Sequence, residues 1–179
     1  MKPIIFSTDM IRAILDGKKT MTRRIIKPQP EQSPNAECDI KWGFQYYNKA
    51  HLEDVISRCP FGQVGDRLWV RETFSLRNDG QQVMHKEGYL EIIKALEIPD
   101  LNIKWKPSIH MPRWASRITL EITEVRVGRQ LDITLQDAIA EGFGGEREFN
   151  ETFLRLNPNL REENPWVWVI SFKQLPNGT

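Results

Sequence analysis

A chain of 179 residues with no internal repeat is most simply one domain, long enough to bury a core without disulfides. Its 25 Lys and Arg against 24 Asp and Glu leave a net charge of +1, which excludes a polycation that holds nucleic acid by bulk charge. The first residues lack the apolar core of a signal peptide, and no run approaches the roughly 20 apolar residues of a membrane span. The expectation is a soluble, cytoplasmic protein with no membrane partner.

Residues 3–6, Pro-Ile-Ile-Phe, predict a short apolar strand. Ser7 follows as an N-cap, with Asp9 placed in the first turn where a carboxylate favours the positive end of the helix dipole. Met10, Ile11, Ile14 and Leu15 recur at helical spacing and give one apolar stripe. Gly17 suits the C′ position, where a left-handed conformation turns the backbone sharply. A strand over 21–26 comes next and stops at Lys27-Pro28, because proline cannot donate to a ladder. Alternation puts Thr20, Thr22 and Arg24 on one face of that strand and Met21, Arg23 and Ile25 on the other, with Lys19 at the bend and able to lean either way.

Residues 1–30 carry seven Lys or Arg against two Asp, a net of +5, so the rest of the chain sums to −4. The positive field is local, as a basic pocket on a neutral body requires. An amine, a hydroxyl and a guanidinium within 17–24 could converge on a small anionic or carbonyl-bearing ligand; the alternative is a solvated basic turn.

Four prolines lie within 28–60, with aromatic residues at 42–47 that suggest a hairpin or flap. This segment reads as an insertion, either a lid or a plain surface loop. Cys38 and Cys59, with His51 between them, have no metal-ligand spacing, so neither a metal nor another cofactor is expected. A turn at 61–66 launches a strand over 67–74, in which Leu68, Val70 and Glu72 share one face and Arg67, Trp69, Arg71 and Thr73 the other. Residues 86–96 fit a helix or an irregular excursion. The loop holding Trp105 and, further on, Arg113 and Trp114 either stacks on a base with a cation nearby or packs as an ordinary loop.

The longest alternating run is 117–129. Ile118, Leu120 and Ile122 point one way while Val125 and Val127 fall out of phase, which a bulge near Thr123 would correct. Thr134 caps a helix through Leu135, Ala138 and Ile139, and Gly142 stops it after Glu141. A second helical segment covers 148–156, and residues 166–172 close the chain as a buried strand. Five or six strands with two to four helices predict an α+β fold: a small mixed or antiparallel β-barrel with flanking helices and long insertions at 28–60 and 75–113.

Gly17-x-Lys19-x-x-x-x-Arg24 after a short helix resembles the signature of the ASCH domain family, a branch of the PUA-like superfold. Gly65-Asp66-x-Leu68-x-Val70, the strand near 118–127, the helix ending at Glu141-Gly142-Phe143 and the closing strand follow in the family's order. The long chain is similar to larger members encoded in phages and prophages. The resemblance implies a β-barrel with a cleft bounded by the Lys-Thr-Arg strand, whose partner is a nucleoside or single-stranded RNA. Some small members are amidohydrolases that deacetylate N4-acetylcytidine with a lysine, a threonine and a glutamate; by position these fall on Lys19, Thr22 and Glu141.

Amide hydrolysis needs a nucleophile, a base and an acid for the departing amine. Thr22 would attack or position a water, Lys19 would serve as base once desolvation and nearby charge lower its pKa, Arg24 would stabilise the oxyanion, and Glu141 would relay a proton. No metal is required. As a binding module instead, the protein would hold RNA phosphates on Lys19, Arg23, Arg24, Arg71 and Arg113 and stack a base on Trp69 or Trp114, with Glu72 adding charge beside the cleft. A ribonuclease, the third expectation, would need an acid and a base beside the phosphate; His51, His85 and His110 fall in loops and read as surface residues rather than catalysts.

Overall fold

In the computed structural model, which describes residues 1–29, 31–32, 40–42, 45–47, 52–76, 82–160 and 164–176, the chain opens with β1 (Lys2–Ile5) and α1 (Thr8–Leu15). The Ser7 hydroxyl accepts from the Met10 amide, and Ile11 and Ile14 bury the apolar stripe. Gly17 adopts φ +71°, and the amides of Lys18 and Lys19 both return to the Ala13 carbonyl, so the helix end is closed by its own backbone. β2 (Met21–Ile25) leaves from that turn.

The 28–60 segment holds three short strands that pair antiparallel, β3 (Glu31–Gln32), β4 (Ile40–Trp42) and β5 (Gln45–Tyr47), then α2 (Leu52–Ser57). The α2 helix was not expected; its Val55 is fully buried in the main core. Cys38 and His51 lie outside the described residues, and Cys59 is a buried free thiol. β6 (Arg67–Arg71) is shorter than the expected strand: the chain breaks at residues 72–73 and resumes as β7 (Phe74–Leu76), paired with β8 (Val83–His85). α3 (Lys86–Ala95) settles residues 86–96 as a helix. β9 (Thr119–Arg129), α4 (Leu135–Ala140), α5 (Glu146–Leu156) and β10 (Trp166–Leu175) complete the chain.

The main sheet runs β1-β6-β9-β10-β2. β1 and β6 are parallel and the other neighbours antiparallel, so the sheet is mixed and the protein is α+β. The expected closed barrel is not found: among the described residues β1 and β2 stay as the two edges without a ladder between them. A side chain spans the gap. The Arg24 guanidinium donates from Nη2 to the Ile5 carbonyl at 2.6 Å.

The bulge falls where the pattern asked for it. Ser171 pairs with Glu124 and Phe172 with Ile122, which leaves Thr123 as the extra residue. One inserted position restores the phase, so Ile118, Leu120, Ile122 and Val125 all enter one core with Ile4, Phe6, Leu68, Val70, Trp168 and Ile170. The opposite face of β10 and β2 forms a second core, in which Met21, Val167 and Val169 meet Ala138 of α4 and Phe149 and Phe153 of α5. No helix among the described residues is long and apolar enough to cross a membrane.

Candidate functional site

Two helix ends meet beside β2. Gly17 ends α1 and Gly142, at φ +88°, ends α4; a Cβ built on Gly142 would lie 3.1 Å from Ala13 Cβ and 3.3 Å from Lys19 Cβ. A side chain there would need Ala13 and the Lys19 stem to give way by a few tenths of an ångström, and the positive φ itself favours glycine. The Thr20 amide donates to the Ala140 carbonyl at 2.8 Å and ties β2's entry to the same turn.

Lys19 lies inside this junction, only 2% exposed, and Glu141 only 3%. The Lys19 ammonium donates to Glu141 Oε2 at 2.7 Å and to the Glu141 carbonyl at 2.8 Å. It therefore caps the carbonyl end of α4 and neutralises the carboxylate at once. Burial pushes the Lys19 amine down; the charge and hydrogen bond of Glu141 push it back up, Arg24 and Arg23 lower it, and the net direction is below 10.5. The Phe6 ring packs under both cations, with Lys19 Nζ 5.6 Å and Arg24 Cζ 5.1 Å from its centroid.

A cavity of about 340 Å³ opens along the free edge of β2, in the low part of the range of small-molecule sites, about 300–1,000 Å³. Thr22, Arg23 and Arg24 of β2, Phe149 and Phe153 of α5, Phe6, Phe143 and Glu141 are among its lining residues. Thr22 is 4% exposed, and among the described residues its hydroxyl has no hydrogen-bond partner. Glu141 Oε1, Arg23 Nε and Arg24 Nε are buried without a hydrogen-bond partner. Such atoms cost free energy unless something bonds to them. All four residues line the cavity, which suits a polar ligand with an apolar ring. Lys19 does not line the cavity; it stands behind Glu141.

Arg23 leans to the other face of β2, as alternation requires. Its Nη2 pairs with Asp137 Oδ2 at 2.6 Å, and its Nη1 lies 3.7 Å from Glu141 Oε1. Arg126 Nη2 meets the other oxygen of Asp137, Oδ1, at 2.9 Å. Register explains the convergence: Arg23, Val169 and Arg126 are aligned across β2, β10 and β9. Burial raises the Asp137 carboxyl, but the hydrogen bond from Arg23 and the charges of Arg126 and Arg23 outweigh it and hold the group below 3.8. Asp137 was missed in the sequence, although it sits four residues before Glu141 and so on the same helix face.

The other expected site residues lie elsewhere. Trp69, 7% exposed, is covered by Arg71 and Arg113, whose guanidinium carbons stand 4.7 and 5.9 Å from its ring. Trp114 is 61% exposed. Glu72 is buried in an ion network, held by Arg117 Nε at 3.1 Å and Nη2 at 3.0 Å, while Arg117 also reaches Glu87. His85 bonds the Ala115 carbonyl at 2.9 Å and is 3.8 Å from Glu72; His110 ends a short 3-10 turn. Among the described residues no three His, Cys, Asp or Glu side chains gather into a metal-binding group.

No family model matches the chain, and no curated protein matches it significantly. Among solved structures it is similar to the crystal structure of protein EF3133 from Enterococcus faecalis V583, described under the family model DUF984. The two share 10% identity at a TM-score of 0.48, over 100% of this chain and 84% of that one. The reading of the site therefore rests on its own geometry.

Proposed function

We propose that the protein is an ASCH-like, metal-independent hydrolase that removes the acyl group from an N4-acylated cytidine. The observation that carries this reading is Glu141 Oε1: a buried carboxylate oxygen with no hydrogen-bond partner among the described residues and only a long ion pair to Arg23 at 3.7 Å, at a cavity lined also by Thr22, with Lys19 fixed behind it. A carboxylate oxygen suits the N–H of an acylated exocyclic nitrogen, and the phenylalanine walls suit the pyrimidine ring.

In this reading Thr22 Oγ, or a water it holds, attacks the acyl carbon. Glu141 Oε1 accepts the nucleophile's proton and passes it to the departing nitrogen, so the C–N bond breaks to free amine and carboxylic acid with one water consumed. Lys19 works on the far side of Glu141 and sets the charge balance of the carboxylate. Arg24, which lines the cavity with an unpartnered Nε, donates to the oxyanion.

The test is direct: purified protein is incubated with N4-acetylcytidine and the products are separated. Cytidine and acetate in equal amounts, with or without EDTA, support the reading when Glu141→Gln abolishes them. Absence of cytidine under both conditions removes the hydrolase.

A non-catalytic RNA-binding module is the second reading, and one observation favours it. Arg71 and Arg113 flank Trp69 with no ion pair to either among the described residues, and Arg71 Nε is without a partner. Affinity for single-stranded RNA that falls steeply with salt and is weakened in Arg71→Ala and Arg113→Ala would support it.

A further inference from the structure

The groove does not end at the cavity beside Glu141. A second cavity, also about 340 Å³, lies further along β2, and the two share Ile25, Leu156 and Asn157 as lining residues. They are consecutive compartments between the strand edge and the end of α5.

Backbone register keeps this edge available. The Phe172 amide donates to the Thr20 carbonyl and the Ile26 amide to the Trp166 carbonyl, so residues of even number in β2 bond to β10. Arg23 and Ile25 then turn their N–H and C=O groups away from β10, toward the open side. Their spacing runs from the first compartment to the border of the second.

The chemistry of the walls changes across that border. The first compartment is lined by phenylalanines, Glu141 and two arginines already committed, Arg23 to Asp137 and Arg24 to the Ile5 carbonyl, whereas the second adds Lys27, Gln29 and Asn159 to the shared Asn157, beside Ile25, Ile26, Leu156 and Pro158, with no carboxylate among its lining residues. Gln29 is already used: its amide donates to the Ile26 and Trp166 carbonyls and accepts from the Trp166 amide. Asn157 gives its amide to the Phe153 carbonyl. Lys27 is exposed and has no ion pair among the described residues, so its charge is left for a ligand.

We propose, building on the hydrolase reading, that the substrate is a nucleotide and not a free nucleoside. The acylated base occupies the first compartment and the phosphate the second, where the Lys27 ammonium meets it with the Asn159 amide alongside. A neutral or apolar group there would leave the lysine unpaired, and a phosphate supplies acceptors for all of these donors.

Two measurements test this on the intact protein. The first is hydrolysis of N4-acetylcytidine against its 5′-monophosphate and 3′-monophosphate. One monophosphate is expected to show kcat/KM about tenfold above the nucleoside, through KM, and that ratio should fall toward one in Lys27→Ala and below one in Lys27→Glu. Equal kcat/KM for nucleoside and both monophosphates, or a preference that survives both Lys27 variants, overturns the proposal.

The second is calorimetric binding of cytidine, its two monophosphates and inorganic phosphate, which needs no turnover. If no acylated compound is hydrolysed, the hydrolase reading has failed; Lys27-dependent binding of a cytidine monophosphate would still sustain the phosphate compartment. Binding of the monophosphates no tighter than cytidine, or unchanged by Lys27→Ala, overturns it. Binding of inorganic phosphate alone equal to that of the nucleotides would show a bare anion site and overturn the nucleotide assignment.

Discussion

The Lys19 ammonium holds both the carboxylate and the main-chain carbonyl of Glu141, a residue 122 positions away, at 2.7 and 2.8 Å. One lysine thus joins the turn after α1 to the end of α4 and gives a carboxylate in the protein interior an ion-pair partner. The same contact positions Glu141 Oε1 at the cavity, so the fold and the proposed chemistry depend on one pair.

Lys19→Met therefore leaves a buried carboxylate without its cation and the α4 terminus without its donor. The expected loss is about 3–5 kcal/mol, and Lys19→Met with Glu141→Gln should lose clearly less, because neither member of the pair is then left buried without the other. Urea unfolding of the three proteins measures this. Equal losses in the single and double variants would mean that the pair contributes no more than packing.

Two groups give the stability a readable pH dependence. Native Asp137 titrates below 3.8, so its contribution is complete above that value and is lost as the pH falls through the lower native value. Compared with Asp137→Asn, the wild type should lose stability more steeply below about pH 4. Native Lys19 titrates below 10.5, so between the native value and 10.5 the unfolded chain binds more protons and stability rises with pH. Relative to Lys19→Met, the wild type should gain stability as the pH rises through that window. A flat difference between the two proteins would contradict the lowered amine.

What could be read from the sequence was what short-range chemistry decides. Ser7 caps α1, Gly17 and Gly142 take left-handed turns, and the two out-of-phase halves of one strand required an extra residue at Thr123. The parallel pairing of β1 with β6 carried no such mark, because register between strands more than 60 positions apart is set by the core and not by either strand. The same limit hid α2, whose six residues are too few for a helical period to appear, and the break after Arg71. In the site, Lys19, Thr22 and Glu141 were named, but the position of Lys19 behind Glu141 follows from how two helix ends abut. Asp137 was within reach: a carboxylate four residues before another on one short helix marks a charged face.

Thr22→Val separates chemistry from folding. Valine keeps the shape and removes a hydroxyl that has no partner among the described residues, so stability should change by less than about 1 kcal/mol. Deacylation should fall by at least about 100-fold if the hydroxyl attacks or holds the attacking water, with Thr22→Ser retaining part of the rate. Initial rates alongside thermal unfolding decide it, and a loss of less than about threefold would remove Thr22 from the reaction.

Gly142→Ala tests the junction from the backbone side. Gly17 and Gly142 both have positive φ, but a Cβ on Gly17 meets nothing within 4 Å, whereas one on Gly142 crowds Ala13 and the Lys19 stem. Gly17→Ala should therefore cost only the left-handed penalty, about 1–2 kcal/mol. Gly142→Ala should cost that and the crowding, about 2–4 kcal/mol together. It should also lower deacylation in the fraction that stays folded, because the displaced Lys19 stem carries the ammonium that orients Glu141. Relieving one contact separates strain from space. Ala13→Gly combined with Gly142→Ala should be more stable than the sum of the single effects by at least about 0.5 kcal/mol, since the deleted methyl makes room for the added one. Strict additivity in denaturant unfolding would place the cost in the backbone conformation alone and show that the close approach of α1 and α4 is not what requires glycine.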